Sequence, residues 1–167
     1  IASDIPAFLP YTKKVIYLQD SDMVIVNGDL KIFNLLETRD LDYVMGQREW
    51  GGVPLRHRFG NFIWRKTFNV MFKTKFKDTN CGLMGFSRNG ADKLKDSILG
   101  GYIVDNSILI GAIEKNLKVG QIPVKVSYHK KSGVGRGVRV VLGVLLYILR
   151  EGLRYRFGRR KWSGKAL

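Results

Sequence analysis

Asp20-Ser21-Asp22 closes the apolar run Val15-Ile16-Tyr17-Leu18, which has the length and β-branched, aromatic make-up of a buried strand. Two carboxylates one residue apart at a strand end can converge on one divalent cation, and the oxygen-rich shell of such a cation suits a nucleotide diphosphate. A lone Asp-x-Asp is equally a polar turn that ends a strand, so the weight falls on motifs further along the chain. Gly46-Gln47-Arg48 ends a second apolar stretch, and Arg58-Phe59-Gly60-Asn61 opens a predicted helix. Asp78-Thr79-Asn80-Cys81-Gly82 precedes Leu83-Met84-Gly85-Phe86-Ser87-Arg88. Asp and Asn at this density can build a helix-to-strand turn, and Gly82 permits close backbone approach. Cys81, the only cysteine, reads as a small buried residue rather than a nucleophile.

The elements that must position these residues alternate. Strands are predicted over residues 15–18, 42–45, 81–87 and 119–126, and helices over 30–36, 59–72, 90–98 and 106–115. In the helix over 59–72, Phe59, Phe62, Ile63, Val70 and Met71 could share one apolar face, away from Arg65 and Lys66. Asp105 could cap the helix over 106–115, whose Ile108, Leu109, Ala112 and Ile113 form an apolar stripe. Pro123 argues that the last strand is an edge or carries a bulge. The alternation favours an α/β fold.

The chain has 167 residues with 45% hydrophobic content, enough for one small domain with a real core. One cysteine excludes an internal disulfide and a cysteine-rich zinc site, which makes a reducing compartment the simpler assumption. His57 and His129 are too isolated for a histidine metal centre. The net charge of +15 is unevenly spread: from Lys125 to Leu167 twelve Lys or Arg residues stand against one acid, Glu151. A basic end of this kind implies an anionic partner, either lipid headgroups or nucleic acid.

The motifs, in this order and spacing, resemble glycosyltransferase family 2, and within it the dolichol-phosphate (polyprenyl-phosphate) sugar synthases. The resemblance extends through Gly101-Tyr102-Ile103-Val104-Asp105, Val119-Gly120-Gln121-Ile122-Pro123-Val124 and Tyr128-His129-Lys130-Lys131-Ser132-Gly133, so it covers residues 15–136. It implies a GT-A-like (Rossmann-like) mixed sheet flanked by helices, and transfer of a sugar from a nucleotide-sugar donor of the GDP-mannose or UDP-glucose type to a polyprenyl phosphate. Asp20 and Asp22 would hold Mg²⁺ or Mn²⁺ against the donor diphosphate. Arg48 and Arg58 would meet acceptor or donor phosphates through their planar guanidinium groups. Asp78 would face the sugar, and Asp105 would serve as a general base for a hydroxyl acceptor if it is not merely a helix cap. Lys131 falls where the family carries an arginine, and Arg136 where it carries a lysine. Both would bind phosphate unless they only form a solvated basic loop. The Pro-x-x-Asn-Glu and Asp-Asp-x-Ser segments of the family's first half are absent from Ile1 to Lys14. The chain is therefore expected to be the C-terminal two-thirds of such an enzyme, a partial GT-A domain over 1–136 followed by a basic amphipathic segment over 137–167.

In that segment, ten consecutive apolar or glycine residues over 140–149 are bounded by Arg139 and Arg150. Ten is far short of the roughly 20 needed to span a bilayer. With Arg154, Arg156, Arg159, Arg160 and Lys161 following, the stretch reads as an interfacial helix that holds the protein peripherally at the cytoplasmic face of a membrane. A terminal helix packed on the core with a solvated basic tail is the alternative. A nucleic-acid-binding module is the rival from another class, suggested by a pI near 10.1. No recognised nucleic-acid motif accompanies the charge, and an unmetallated Asp-x-Asp would repel phosphates.

Overall fold

The computed structural model describes residues 15–19, 23–26, 28–53, 55–128 and 137–158. Five strands form one mixed sheet: β1 (Val15–Gln19), β2 (Met23–Val26), β3 (Tyr43–Arg48), β4 (Leu83–Ser87) and β5 (Val119–Tyr128). Their spatial order is β1-β4-β3-β5-β2. β3 and β5 run parallel, with Arg48 opposite Val124, while β4 is antiparallel to both β1 and β3. β2 is antiparallel to β5, from Met23 opposite Tyr128 to Val26 opposite Lys125.

Helix α1 (Gly28–Thr38) covers one face of the sheet, and α2 (Leu55–Phe72), α3 (Arg88–Leu94), α4 (Val104–Glu114) and α5 (Gly137–Phe157) lie on the other. Strand alternation divides the core accordingly. Val44 and Leu83 join Ile32 and Leu36 of α1, whereas Tyr43, Met45, Met84 and Phe86 join Phe68, Phe72, Ile108 and Leu109 of the helical layer. Tyr43 and Phe86 stack across the β3–β4 pair with ring centroids 5.0 Å apart.

Pro123 sits in a strand with a neighbour on each side, yet it loses no hydrogen bond to β3. The Val124 carbonyl accepts from the Glu49 N–H at 3.0 Å, so even-numbered residues of β5 point their polar groups at β3. Pro123 points the other way, where β2 has ended at Val26 opposite Lys125, so at this residue β5 is locally an edge.

Three sequence expectations change. The apolar set expected to share one face of α2 divides: Phe59, Phe62 and Val70 are exposed, while Met71 faces inward with Gly60, Asn61, Phe68 and Phe72. α4 begins at Val104, two residues earlier than expected, so Asp105 stands inside the first turn and does not cap it. The run over 140–149 divides between two sides of α5: Val144 and Ile148 are buried in the core, whereas Leu142 and Leu146 are exposed. An uninterrupted apolar run carries no record of which of its residues turn inward.

α2 and α5 pack side by side and run in the same direction. The Trp64 indole donates to the Val141 carbonyl at 3.0 Å, and Phe72 contacts Tyr155 at the other end. Gly152 makes the approach possible, because a Cβ there would lie 2.5 Å from Met71 Cβ.

Candidate active site

The site is built at the sheet end where β3 finishes and β4 begins. α2 ends at Phe72 and the chain returns to β4 through residues 73–82. Asn69 fixes the start of that return: its carbonyl oxygen accepts from Thr74 Oγ1 at 2.8 Å and from the Phe76 N–H at 3.0 Å, and its amide donates to the Phe76 carbonyl. Gln121 on β5 fixes the middle, donating to the Asp78 carbonyl at 2.7 Å and accepting from the Lys77 N–H at 2.8 Å. Asp78 is thereby presented to Arg48.

The contact between them is a planar, two-pronged ion pair. Arg48 Nε donates to Asp78 Oδ2 at 2.7 Å and Nη2 to Oδ1 at 2.8 Å. The Arg48 backbone N–H adds a third bond at 3.1 Å, and the Asn80 N–H a fourth at 3.1 Å. Both carboxylate oxygens are thus engaged, and the side chains are only 6% and 1% exposed. Arg48 Nη2 also donates to Asn61 Oδ1 at 2.8 Å, and Asn61 in turn donates to the His57 carbonyl one turn back along α2. The indole of Trp50 lies 5.5 Å from the guanidinium carbon. A buried pair of this kind holds only when its remaining donors and acceptors are satisfied, and here they come from three separate segments.

Asp105, 7% exposed at the start of α4, accepts the Gly82 N–H at 3.1 Å. Gly82 has φ +73°, a conformation in which a side chain would strain the backbone. Between the two acidic residues, Cys81 is buried against Gly46, where a Cβ would meet its sulfur at 2.6 Å. Burial first, and then the Asp78 charge, push the Cys81 thiol well above its ordinary range, so it is no thiolate.

Of the residues expected from sequence, Arg48, Asp78 and Asp105 come together at this end of the sheet. Arg48 and Asp78 are committed to one another rather than to open space. Arg58 folds back onto the turn Trp50–Gly52, donating from Nε to the Val53 carbonyl at 2.7 Å and from Nη2 to the Gly51 carbonyl at 3.3 Å. Asp20, Asp22, Lys131 and Arg136 lie outside the described residues. Among the described residues no group of three or more His, Cys, Asp or Glu side chains could hold a metal ion. Sequence reasoning did not single out Asn61, Gln121 or Trp50. Asn61 and Gln121 do sit inside the motifs that carry the family resemblance, and that membership was the available signal. Nothing in the sequence marked Trp50.

No protein-family model matches the chain. An uncharacterised protein of Methanocaldococcus jannaschii is 30% identical over 128 residues, which cover 72% of this chain and 54% of that protein. Glutamine–fructose-6-phosphate aminotransferase of Methanothermobacter thermautotrophicus is 40% identical over 58 residues, 31% of this chain and 10% of that enzyme. Among solved structures, glucosyl-3-phosphoglycerate synthase from Mycobacterium tuberculosis in complex with phosphoglyceric acid superposes with a TM-score of 0.65 at 16% identity. That match covers 89% of this chain and 54% of the synthase chain. The same synthase with Mn²⁺, uridine diphosphate and glucosyl-3-phosphoglycerate gives 0.59 at 15% identity, covering 91% and 54%. The match thus spans about half the length of the Methanocaldococcus jannaschii protein and of the synthase, and a tenth of the aminotransferase. This chain has an α/β, GT-A-like fold, a mixed sheet flanked by helices.

Proposed function

We propose that this chain belongs to a metal-dependent, inverting glycosyltransferase that moves a sugar from a nucleotide-sugar onto a polyprenyl (dolichyl-type) phosphate. The observation that carries the reading is convergence at one sheet end. The Arg48–Asp78 pair, the Asp105–Gly82 bond and the last residue of β1, Gln19 opposite Leu83, all lie there. Asp20 and Asp22, the candidate cation ligands, come next in the sequence after Gln19 and lie outside the described residues. The likeness to the synthase fold supports a donor of the nucleotide-sugar class, since that protein was crystallised with uridine diphosphate.

In this reading Asp20 and Asp22 hold Mg²⁺ or Mn²⁺, which neutralises the departing nucleotide diphosphate when bound. The Arg48–Asp78–Asn61 network is the frame of the site: it locks the end of β3, the start of α2 and the loop before β4 into one geometry. Arg58, Lys131 and Arg136 supply positive charge for the acceptor phosphate. A phosphate acceptor attacks the anomeric carbon as an anion and needs no base, since its second pKa is about 6. Asp105 then only orders the Gly82 backbone.

A second reading, transfer to a hydroxyl acceptor, is favoured by the placement of the Asp105 carboxylate at the same end, together with the phosphoglyceric acid in the synthase crystal. Asp105→Asn, which can still accept from Gly82, separates the two: it abolishes turnover with a hydroxyl acceptor and leaves most of it with a phosphate acceptor. The donor reading is tested by calorimetric titration of GDP and UDP, with and without Mn²⁺. Mn²⁺-dependent binding that Asp22→Asn loses is expected. A folded chain that takes up neither nucleotide in the presence of Mn²⁺ overturns the donor site.

A further inference from the structure

The outer side of the α2–α5 layer is apolar where a solvated helical layer would be polar. On α2, Leu55, Phe59, Phe62 and Val70 are exposed, spaced by four, three and eight residues. On α5, Val138, Leu142, Leu146, Leu153 and Phe157 are exposed, spaced by four, four, seven and four. Each set falls on one stripe of its helix. Nine residues, two and a half turns, separate exposed Phe59 from buried Phe68, exposed Leu153 from buried Val144, and exposed Leu146 from buried Tyr155. Both stripes therefore point directly away from the core.

The helices run parallel and touch at both ends, through Gly60 and Val141 near one end and Met71 and Gly152 near the other. The two stripes thus lie alongside each other as one continuous surface. It holds nine of the eleven large apolar side chains exposed among the described residues. A contiguous apolar face of this extent marks a contact site.

We infer that this face lies on the surface of an anionic lipid bilayer. Charge selects the occupant. α2 contains no acidic residue and α5 contains one, Glu151, which is already held by Arg150 and Arg154. Lys66 interrupts the α2 stripe, and Arg139, Arg150 and Arg154 border the α5 stripe. A second copy of this chain would bring the same positive charges against themselves. Nucleic acid would satisfy the charges but not the Phe and Leu side chains. A bilayer interface offers acyl chains for the stripes and anionic headgroups for the basic border. No described helix is long and apolar enough to cross a membrane, so the two helices would lie in the plane of the interface. The inference stands without the transferase reading, and α2 is as much a part of the face as the C-terminal helix.

The test is flotation of the full chain with phosphatidylcholine vesicles, with and without phosphatidylglycerol, at two salt concentrations. The expected result is binding to the anionic vesicles that weakens with salt. Phe59→Glu/Phe62→Glu on α2 and Leu142→Glu/Leu146→Glu on α5 should each reduce that binding by about tenfold or more. The charge-matched control Lys93→Gln/Lys95→Gln, on the exposed end of α3 and the turn after it, should leave it within about twofold. Circular dichroism melts confirm that each variant is folded. Any of three results overturns the inference: no binding by the folded chain, equal binding by the α2 variant and the control, or a dimer in sedimentation that Phe59→Glu/Phe62→Glu dissolves while vesicle binding persists.

Discussion

Asn61 and Phe62 are neighbours on α2, yet the polar side chain is buried and the aromatic one is half exposed. Asn61 faces the Arg48–Asp78 pair, whereas Phe62 looks outward with Phe59. One helix thus separates two regions in which the usual assignment of polarity is reversed. On the inner side, charges are buried because each oxygen of Asp78 has two donors within 3.1 Å. On the outer side, large apolar groups meet solvent although the core beneath is complete. Burial in the first region is set by mutual satisfaction of polar groups, and exposure in the second by the lack, among the described residues, of anything to cover it.

The comparison can be broken most severely from inside. Asp78→Asn removes the carboxylate charge that meets the buried Arg48 guanidinium in a two-pronged pair and should lower stability by about 3–5 kcal/mol in urea unfolding. The apolar double replacement Arg48→Met/Asp78→Leu should lose much less than the sum of the single changes, since it removes both charges together.

Next comes the seam between the regions. Gly152→Val drives a side chain into Met71 and should cost about 1–3 kcal/mol. Gly143, in the same helix with open space around its Cβ position, should instead gain about 0.5–1 kcal/mol on change to Ala.

A smaller effect is expected at Tyr43, whose hydroxyl is buried with no hydrogen-bond partner among the described residues. Burial first, then the Asp105 charge, hold its pKa well above the ordinary 10.0. The unfolded chain loses this proton as the pH passes about 10 while the folded chain keeps it, so stability falls as pH rises above that value. Tyr43→Phe keeps the stacking on Phe86 and should flatten that alkaline decline, with a change at pH 7 of about 1 kcal/mol or less. Chemical unfolding at pH 7 and pH 10.5 measures both.

Smallest of all in stability is the outer face. Phe59→Ser/Phe62→Ser should move the unfolding midpoint by no more than about 0.5 kcal/mol equivalent, while vesicle binding falls sharply. A large loss of stability would show that these side chains belong to the core after all.

Much of the architecture was legible in the sequence. The elements followed from hydrophobic periodicity and turn residues, and apart from β2 each observed strand and helix overlaps its expected span. The four residues of β2, which begin directly after Asp22, were not among the expected strands. Phe59, Phe62 and Val70 do share a face of α2, but periodicity reports that a face is apolar without saying what it meets, and Met71 lies on the inner side. Asp78 and Arg48 were each picked out, but not as a pair. They stand 30 residues apart, and only the loop held by Asn69 and Gln121 brings them together. Asp105 was misplaced at the helix start because a capping side chain and a carboxylate in the first turn look alike in sequence.

The parallel seam of α2 and α5 also has a consequence in time. Met71 meets a glycine about 80 residues further along the chain, and Phe72 meets Tyr155 at a similar distance. At roughly 5–20 residues per second on the ribosome, the side of α2 that α5 will cover stays open for about 4–16 s. Throughout that interval α2 is apolar on both flanks, the one awaiting α5 and the one that no described residue covers. A nascent chain in this state is a natural client for a chaperone, and the arrival of α5 closes only half of what attracted it.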